Sequence, residues 1–181
     1  DGPGSSIVSA EDNGTTGLLR QLFNSNELTT DEAICRWGDP GVATMNTNEQ
    51  GSSNAFLALL YNRLYLGISV CNHYLDVASG VDATRTAEVR FIRALQFYLA
   101  MDAFGNIGLP LTVSTEKPVQ HTRKEVYEWL EKELLELETL LAEPKAKKST
   151  DAGYGRADKA AAWMLLTRLY LNAEVYTGTA Q

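Results

Sequence analysis

The sequence predicts an all-α fold, and three observations carry that expectation. Apolar residues recur at three- and four-residue spacing through four long segments, the period of a helix with one buried face. No segment alternates apolar and polar residues for more than about four positions, as a half-buried strand would. The five prolines fall in loops or near the chain start, where they interrupt no helical hydrogen bond. At 181 residues and 44% hydrophobic content, the chain is long enough to bury about two thirds of its unfolded surface in one compact core.

Residues 1–15, opening Asp1-Gly2-Pro3-Gly4-Ser5-Ser6, read as a linker or an artificial edge, and a short first helix is expected over Thr16 to Asn24. A long helix follows from Ser53 to Ala78, capped by Ser52 or Ser53, with Phe56, Leu60, Leu64, Gly67, Cys71, Leu75 and Ala78 on its stripe. Thr84 to Phe104 carries the next stripe, through Ala87, Phe91, Ala94, Leu95, Tyr98 and Met101, and Gly105 stands where a helix ends in a left-handed residue. Thr122 and Glu125 form a capping box for a helix with Val126, Leu130, Leu134, Leu137 and Leu141 on one face, stopped by Pro144. A polar stretch over 145–157 leads to a final helix from Asp158 to Tyr176, bearing Ala161, Leu165, Leu169 and Ala173. Small residues at the contact phase of paired helices resemble tetratricopeptide-type hairpins, without a strict 34-residue period.

The formal charge of −7 repels phosphate backbones, so nucleic acid is not an expected partner. Two cysteines (Cys35, Cys71) and two histidines (His73, His121) lack the spacing of a zinc site, and no metal or cofactor is expected. Cys71 keeps the apolar phase of its helix as a core thiol, and a Cys35–Cys71 disulfide stays open if the protein is exported. No apolar run reaches the ~18 residues needed to span a bilayer. Nucleophile and phosphate-loop motifs are missing, and "GNIG" at 105–108 follows a helix rather than a strand, which makes it a chain reversal.

The polar cluster with binding potential is "TTDEAICRWGDPG" (29–41), which sets Asp31, Glu32, Arg36, Trp37 and Asp39 on one loop. A tryptophan face stacks on the apolar side of a sugar ring while charged neighbours bond its hydroxyls. The alternative is that Trp37 plugs the loop onto the helices. Paired acids such as Asp31 and Asp39 are also the raw material of a glycosidase, but Asp, Glu, Gly and Pro in a loop are ordinary turn chemistry. Arg90 and Arg93, with Asp102, are expected to make internal pairs or to lay their stems over apolar neighbours. Tyr61, Tyr65, Tyr98, Trp129 and Trp163 keep helical phase and are assigned to the core, and Ile107, Leu109 and Leu111 are expected to fold under the helices.

Beyond these periodicities, "LTTDEAICRWGDPG", "LLYNRLYLGISVCNHYL" (59–75), "AEVRFIRALQFYLAMDAFGNIGLPL" (87–111) and "GRADKAAAWMLLTRLYLNAEVY" (155–176) together resemble the SusD/RagB family, from about Leu18 to Tyr176. The resemblance implies a SusD-like, TPR-like framework of helical hairpins. It also implies a non-catalytic, surface-exposed outer-membrane lipoprotein that captures oligo- or polysaccharide for a SusC-like, TonB-dependent transporter. Family members are longer and carry an N-terminal lipid-bearing Cys that this chain lacks, so residues 16–181 are expected to be an N-terminal helical portion, with the C-terminal part of the site elsewhere. The glycan-binding residues expected from the loop region are Asp31, Trp37 and Asp39, with Asn54 and Phe56 at the start of the next helix. The competing reading is a helical scaffold that docks on the transporter without touching sugar. Because a partner half would be missing, the apolar face of the final helix is expected to be partly uncovered.

Overall fold

The computed structural model describes residues 17–145 and 148–178, so the expected linker over 1–15 lies outside the described residues. Seven helices and one two-residue ladder are described, in the order α1 (Leu18–Glu27), α2 (Val42–Asn46), α3 (Ala55–Ala78), α4 (Ala83–Phe104), β1 (Ile107–Gly108), β2 (Gln120–His121), α5 (Arg123–Leu140), α6 (Lys159–Leu171) and α7 (Ala173–Thr177). The all-α expectation holds. The single core expected from length gives way to two compact units, residues 1–66 and 67–181, with the division falling inside α3.

In the first unit, Leu28, Val42, Met45 and Phe56 form a small buried cluster, against which Ala33, Cys35, Leu57 and Leu59 pack. The cap of α3 is neither Ser52 nor Ser53. Asn54 takes that role, its Oδ1 accepting from the backbone N–H groups of Phe56 at 2.9 Å and Leu57 at 3.3 Å. Asparagine is among the strongest N-cap residues, and here it sits one position closer to the helix than the serines. Tyr61 and Tyr65 stack on one another with centroids 4.4 Å apart, and Tyr61 is exposed, so this pair is a surface feature rather than core.

In the second unit, α5 packs against α4, α6 and α7. All five residues of its sequence stripe, Val126, Leu130, Leu134, Leu137 and Leu141, are buried, as are Ala87, Phe91, Ala94, Tyr98 and Met101 of α4. The capping box forms: Thr122 Oγ1 accepts from the Glu125 N–H, and Glu125 Oε2 accepts from the Thr122 N–H at 2.7 Å. These bonds hold the Glu125 carboxyl below the ordinary range. The stability they contribute is therefore present above the unfolded-state value and is lost as pH falls through the folded one.

Arg90 and Arg93 are paired internally. Arg90 makes a bidentate contact to Glu133 at 2.9 and 2.8 Å and reaches Glu136 at 3.0 Å. Arg93 donates to Asn72 Oδ1 at 2.9 Å and to the Leu111 carbonyl at 3.0 Å, with Glu133 at 3.7 Å. Glu133 holds the Arg90 guanidinium above its usual range, whereas burial pulls that of Arg93 down. Asp102 joins neither arginine. It accepts instead from the Tyr176 hydroxyl at 2.7 Å.

Gly105 ends α4 at φ +76°, its N–H donating to the Met101 carbonyl at 2.9 Å. The reversal it starts is a short hairpin in which Ile107 pairs with His121 and Gly108 with Gln120. Of the three apolar residues expected under the helices, Ile107 is buried and Leu109 half-buried, but Leu111 is exposed, its backbone rather than its side chain being what Arg93 holds. The final helix is broken at Asn172, whose side chain bonds the Arg168 carbonyl at 2.9 Å and so competes with the helical ladder. The stripe expected to be partly uncovered is instead buried at Leu165, Leu169, Ala173 and Tyr176, and the exposed apolar residues lie off it, with Met164 64%, Leu171 80% and Val175 62% exposed. Trp163, assigned to the core by phase, is also at the surface, where its indole N–H donates to Glu138 at 2.9 Å.

Two predictions follow from this packing. Glu133→Gln removes the carboxylate shared by half-buried Arg90 and buried Arg93 and destabilises the chain by about 3 kcal/mol in denaturant titration, while Glu136→Gln, at the solvent-exposed end of the same network, costs less than about 1 kcal/mol. Gly105→Ala places a Cβ in a conformation side chains rarely adopt and costs about 1–3 kcal/mol, with Gly80→Ala, which meets nothing within 4 Å, as the control.

Candidate functional site

The loop over 29–41 leaves α1 and re-enters helix at α2 without forming helix or strand between Ala33 and Asp39. Its inner side chains pack on the small cluster of the first unit, Ala33 and Cys35 among them. Trp37 points the other way and is 66% exposed. Arg20, on α1, sits over the indole at 5.4 Å from the ring centroid, a cation–π contact that covers one face of the ring. The extent of exposure shows that much of the remainder is open. Among the described residues the Trp37 indole N–H has no hydrogen-bond partner.

Beside the indole lies an open groove of about 540 Å³, its lining including Arg20, Phe23, Ile34, Cys35, Arg36 and Trp37. That size lies within the range of small-ligand sites, about 300–1,000 Å³. The lining is mostly apolar, with two guanidinium groups, the Asn24 carboxamide and no carboxylate. Asp31 is exposed and Asp39 half-buried on the same loop, but neither lines the groove, so the charged groups nearest the tryptophan are arginines rather than the expected acids.

Asn54 and Phe56 are turned inward, which corrects the expectation that they share this surface. Phe56 is 3% exposed and belongs to the buried cluster, because its position on the first turn of α3 faces Val42 and Met45. Asn54 has both ends of its carboxamide in use: Oδ1 caps α3, and Nδ2 donates to the Gly41 carbonyl at 3.0 Å and to Thr44 Oγ1 at 3.1 Å. Neither has a polar atom or a ring face left for a ligand.

Sequence reasoning missed Arg20. It lies 17 residues before Trp37, on a helix whose pattern gives no cue to a loop contact, and only the return of the chain over α1 brings the two together. The thiols Cys35 and Cys71 are both free. Burial pushes the Cys71 thiol up, in keeping with a core role. Among the described residues no helix is long and apolar enough to cross a membrane.

Comparison with known proteins places these features in a family. Residues 8–171 match the SusD-like model described as "Starch-binding associating with outer membrane". The starch-binding protein SusD of Bacteroides thetaiotaomicron is 37% identical over 97% of this chain, which spans 32% of that protein's length. Among solved structures, a SusD homologue from Bacteroides thetaiotaomicron superposes with a TM-score of 0.69 at 23% identity, over 88% of this chain and 34% of that one. Surface glycan-binding protein A from Bacteroides uniformis does so at 0.64 and 25%, over 90% and 41%. The chain belongs to the SusD-like family of starch-binding proteins that associate with the outer membrane.

Proposed function

We propose that this chain is the N-terminal helical portion of a surface-exposed protein that binds oligo- or polysaccharide and passes it to a TonB-dependent outer-membrane transporter of the SusC type. SusD-like proteins are carbohydrate-binding and non-catalytic, and the names of the starch-binding and glycan-binding relatives support a sugar as the ligand. One observation carries the reading to a place on the molecule: Trp37 is held out to solvent at 66% exposure beside a groove of about 540 Å³. An indole in that setting stacks on the C–H face of a pyranose, and its N–H and the nearby guanidiniums donate to ring hydroxyls. Asp31 and Asp39 lie outside the groove and serve as acceptors for hydroxyls of sugar units that extend past it.

The uncovered apolar face of Met164, Leu171 and Val175 supports the part of this proposal in which residues 16–181 are one portion of a longer protein, since a face of that kind is normally packed against further polypeptide. Affinity electrophoresis through gels containing amylopectin, xyloglucan or other soluble polysaccharides tests the binding reading. Retardation by at least one glycan is expected. Trp37→Ala should weaken it by about tenfold or more, the loss of a stacked ring being worth at least 1.4 kcal/mol, whereas Asp31→Ala and Asp39→Ala should cost about threefold each. Unretarded migration of both this chain and the full-length protein in every gel would sink the proposal.

A further inference from the structure

The loop that carries Trp37 has little backbone structure of its own. Among the described residues, the backbone groups of residues 33–38 bond to no other backbone group. What holds them is a side chain. Cys35 N–H donates to Asn46 Oδ1 at 3.3 Å, and Asn46 Nδ2 donates back to the Cys35 carbonyl at 2.6 Å. A carboxamide carries the same donor and acceptor as a peptide group, so Asn46, the last residue of α2, supplies one rung of a ladder where no second strand exists.

The ends of the loop are held in the same manner. Asn48 Nδ2 donates to the Thr29 carbonyl at 3.0 Å, and Asn54 Nδ2 donates to the Gly41 carbonyl at 3.0 Å. Asn48 reaches Thr29 from a left-handed conformation, φ +57°, that asparagine adopts more readily than most residues. Three asparagines within a nine-residue span, 46 to 54, thus grip the start, middle and end of the loop over 29–41. The middle grip lies two residues from the indole.

We propose that Asn46 is a positioning residue for Trp37, with Asn48 and Asn54 fixing the loop ends. The carboxamides preorganise the indole, so that a ligand stacking on it does not have to order the loop as it binds. This assignment rests on the glycan reading of Trp37, and it extends the site to residues that touch no ligand.

The test uses the 181-residue chain labelled with 5-fluorotryptophan. Its three tryptophans give three fluorine signals, that of Trp37 being assigned by Trp37→Phe. In Asn46→Ala, and to a lesser degree in Asn46→Asp, which keeps an acceptor for Cys35 N–H but loses the donor, the Trp37 signal should broaden or split while those of Trp129 and Trp163 stay in place. Asn46→Ala should also raise the Kd for maltoheptaose about tenfold, the worth of two lost hydrogen bonds, and should add nothing in a Trp37→Ala background. A Trp37 signal unchanged in Asn46→Ala overturns the proposal, whatever happens to the melting temperature. So does an equal loss of affinity in both backgrounds. Should the wild-type chain ignore maltoheptaose while the Trp37 signal responds as described, the positioning role stands and the glycan reading of the site is what loses support.

Discussion

Two guanidiniums and one carboxylate meet at the centre of the second unit, and most of what surrounds them depends on that meeting. Glu133 on α5 takes Arg90 in a bidentate grip and approaches Arg93, both one helical turn apart on α4. Taking three charges out of water is expensive, and their attraction offsets that cost only if the remaining donors find partners. They do so by reaching across the unit. Arg93 bonds the Leu111 carbonyl directly and Asn72 on α3, and Asn72 in turn bonds the Pro110 carbonyl at 2.9 Å. The cluster therefore binds α3, α4 and α5 to the start of the 109–119 loop. Arg93 Nε is buried without a hydrogen bond, and the Trp129 ring, 5.8 Å from the guanidinium carbon, provides the compensating contact.

Much of this framework is legible in the sequence, because a period of three to four apolar residues reports burial directly. Every residue on the α5 stripe is buried, and Thr122, Gly105 and Asp158 mark helix ends where they were expected. The failures share a cause, which is that periodicity sees one helix at a time. It places Trp163 on the inner side of its helix without knowing that Glu138 offers its indole N–H a partner at the surface. It runs α6 into α7 because nothing in the stripe shows Asn172 bonding backward to Arg168. It passes over β1 and β2, since two residues cannot display an alternation.

The site was less legible than the fold, and unevenly so. Trp37 stands out in the sequence because tryptophan among Asp, Arg, Gly and Pro has no stripe to belong to. Phe56 and Asn54 were drawn toward it by nearness in the chain alone. Their fate was decided by chemistry of a more local kind: a phenylalanine on the first turn of α3 completes the cluster of Leu28, Val42 and Met45, and an asparagine before a helix caps it. Arg20 and Asn46 were invisible for the opposite reason, their contacts with the loop being set by tertiary return of the chain rather than by neighbouring residues.

Trp163 and Trp37 show how differently a helix and a loop treat an indole. Trp163 sits on a helix, and the adjacent helix meets its N–H. Trp37 sits on a stretch without regular structure, where among the described residues nothing bonds its N–H and the ring stays 66% exposed. A loop is therefore the natural place for such a ring, yet a loop free to move would lose to conformational entropy what stacking supplies. Side-chain carboxamides resolve that conflict at low cost. They hold the backbone through the Cys35 peptide, while the indole stands exposed with the Arg20 guanidinium above it. On the proposed function, a neutral sugar offers no charge for a chain of net charge −7 to attract, so its affinity would rest on that presented ring and on donors already in place.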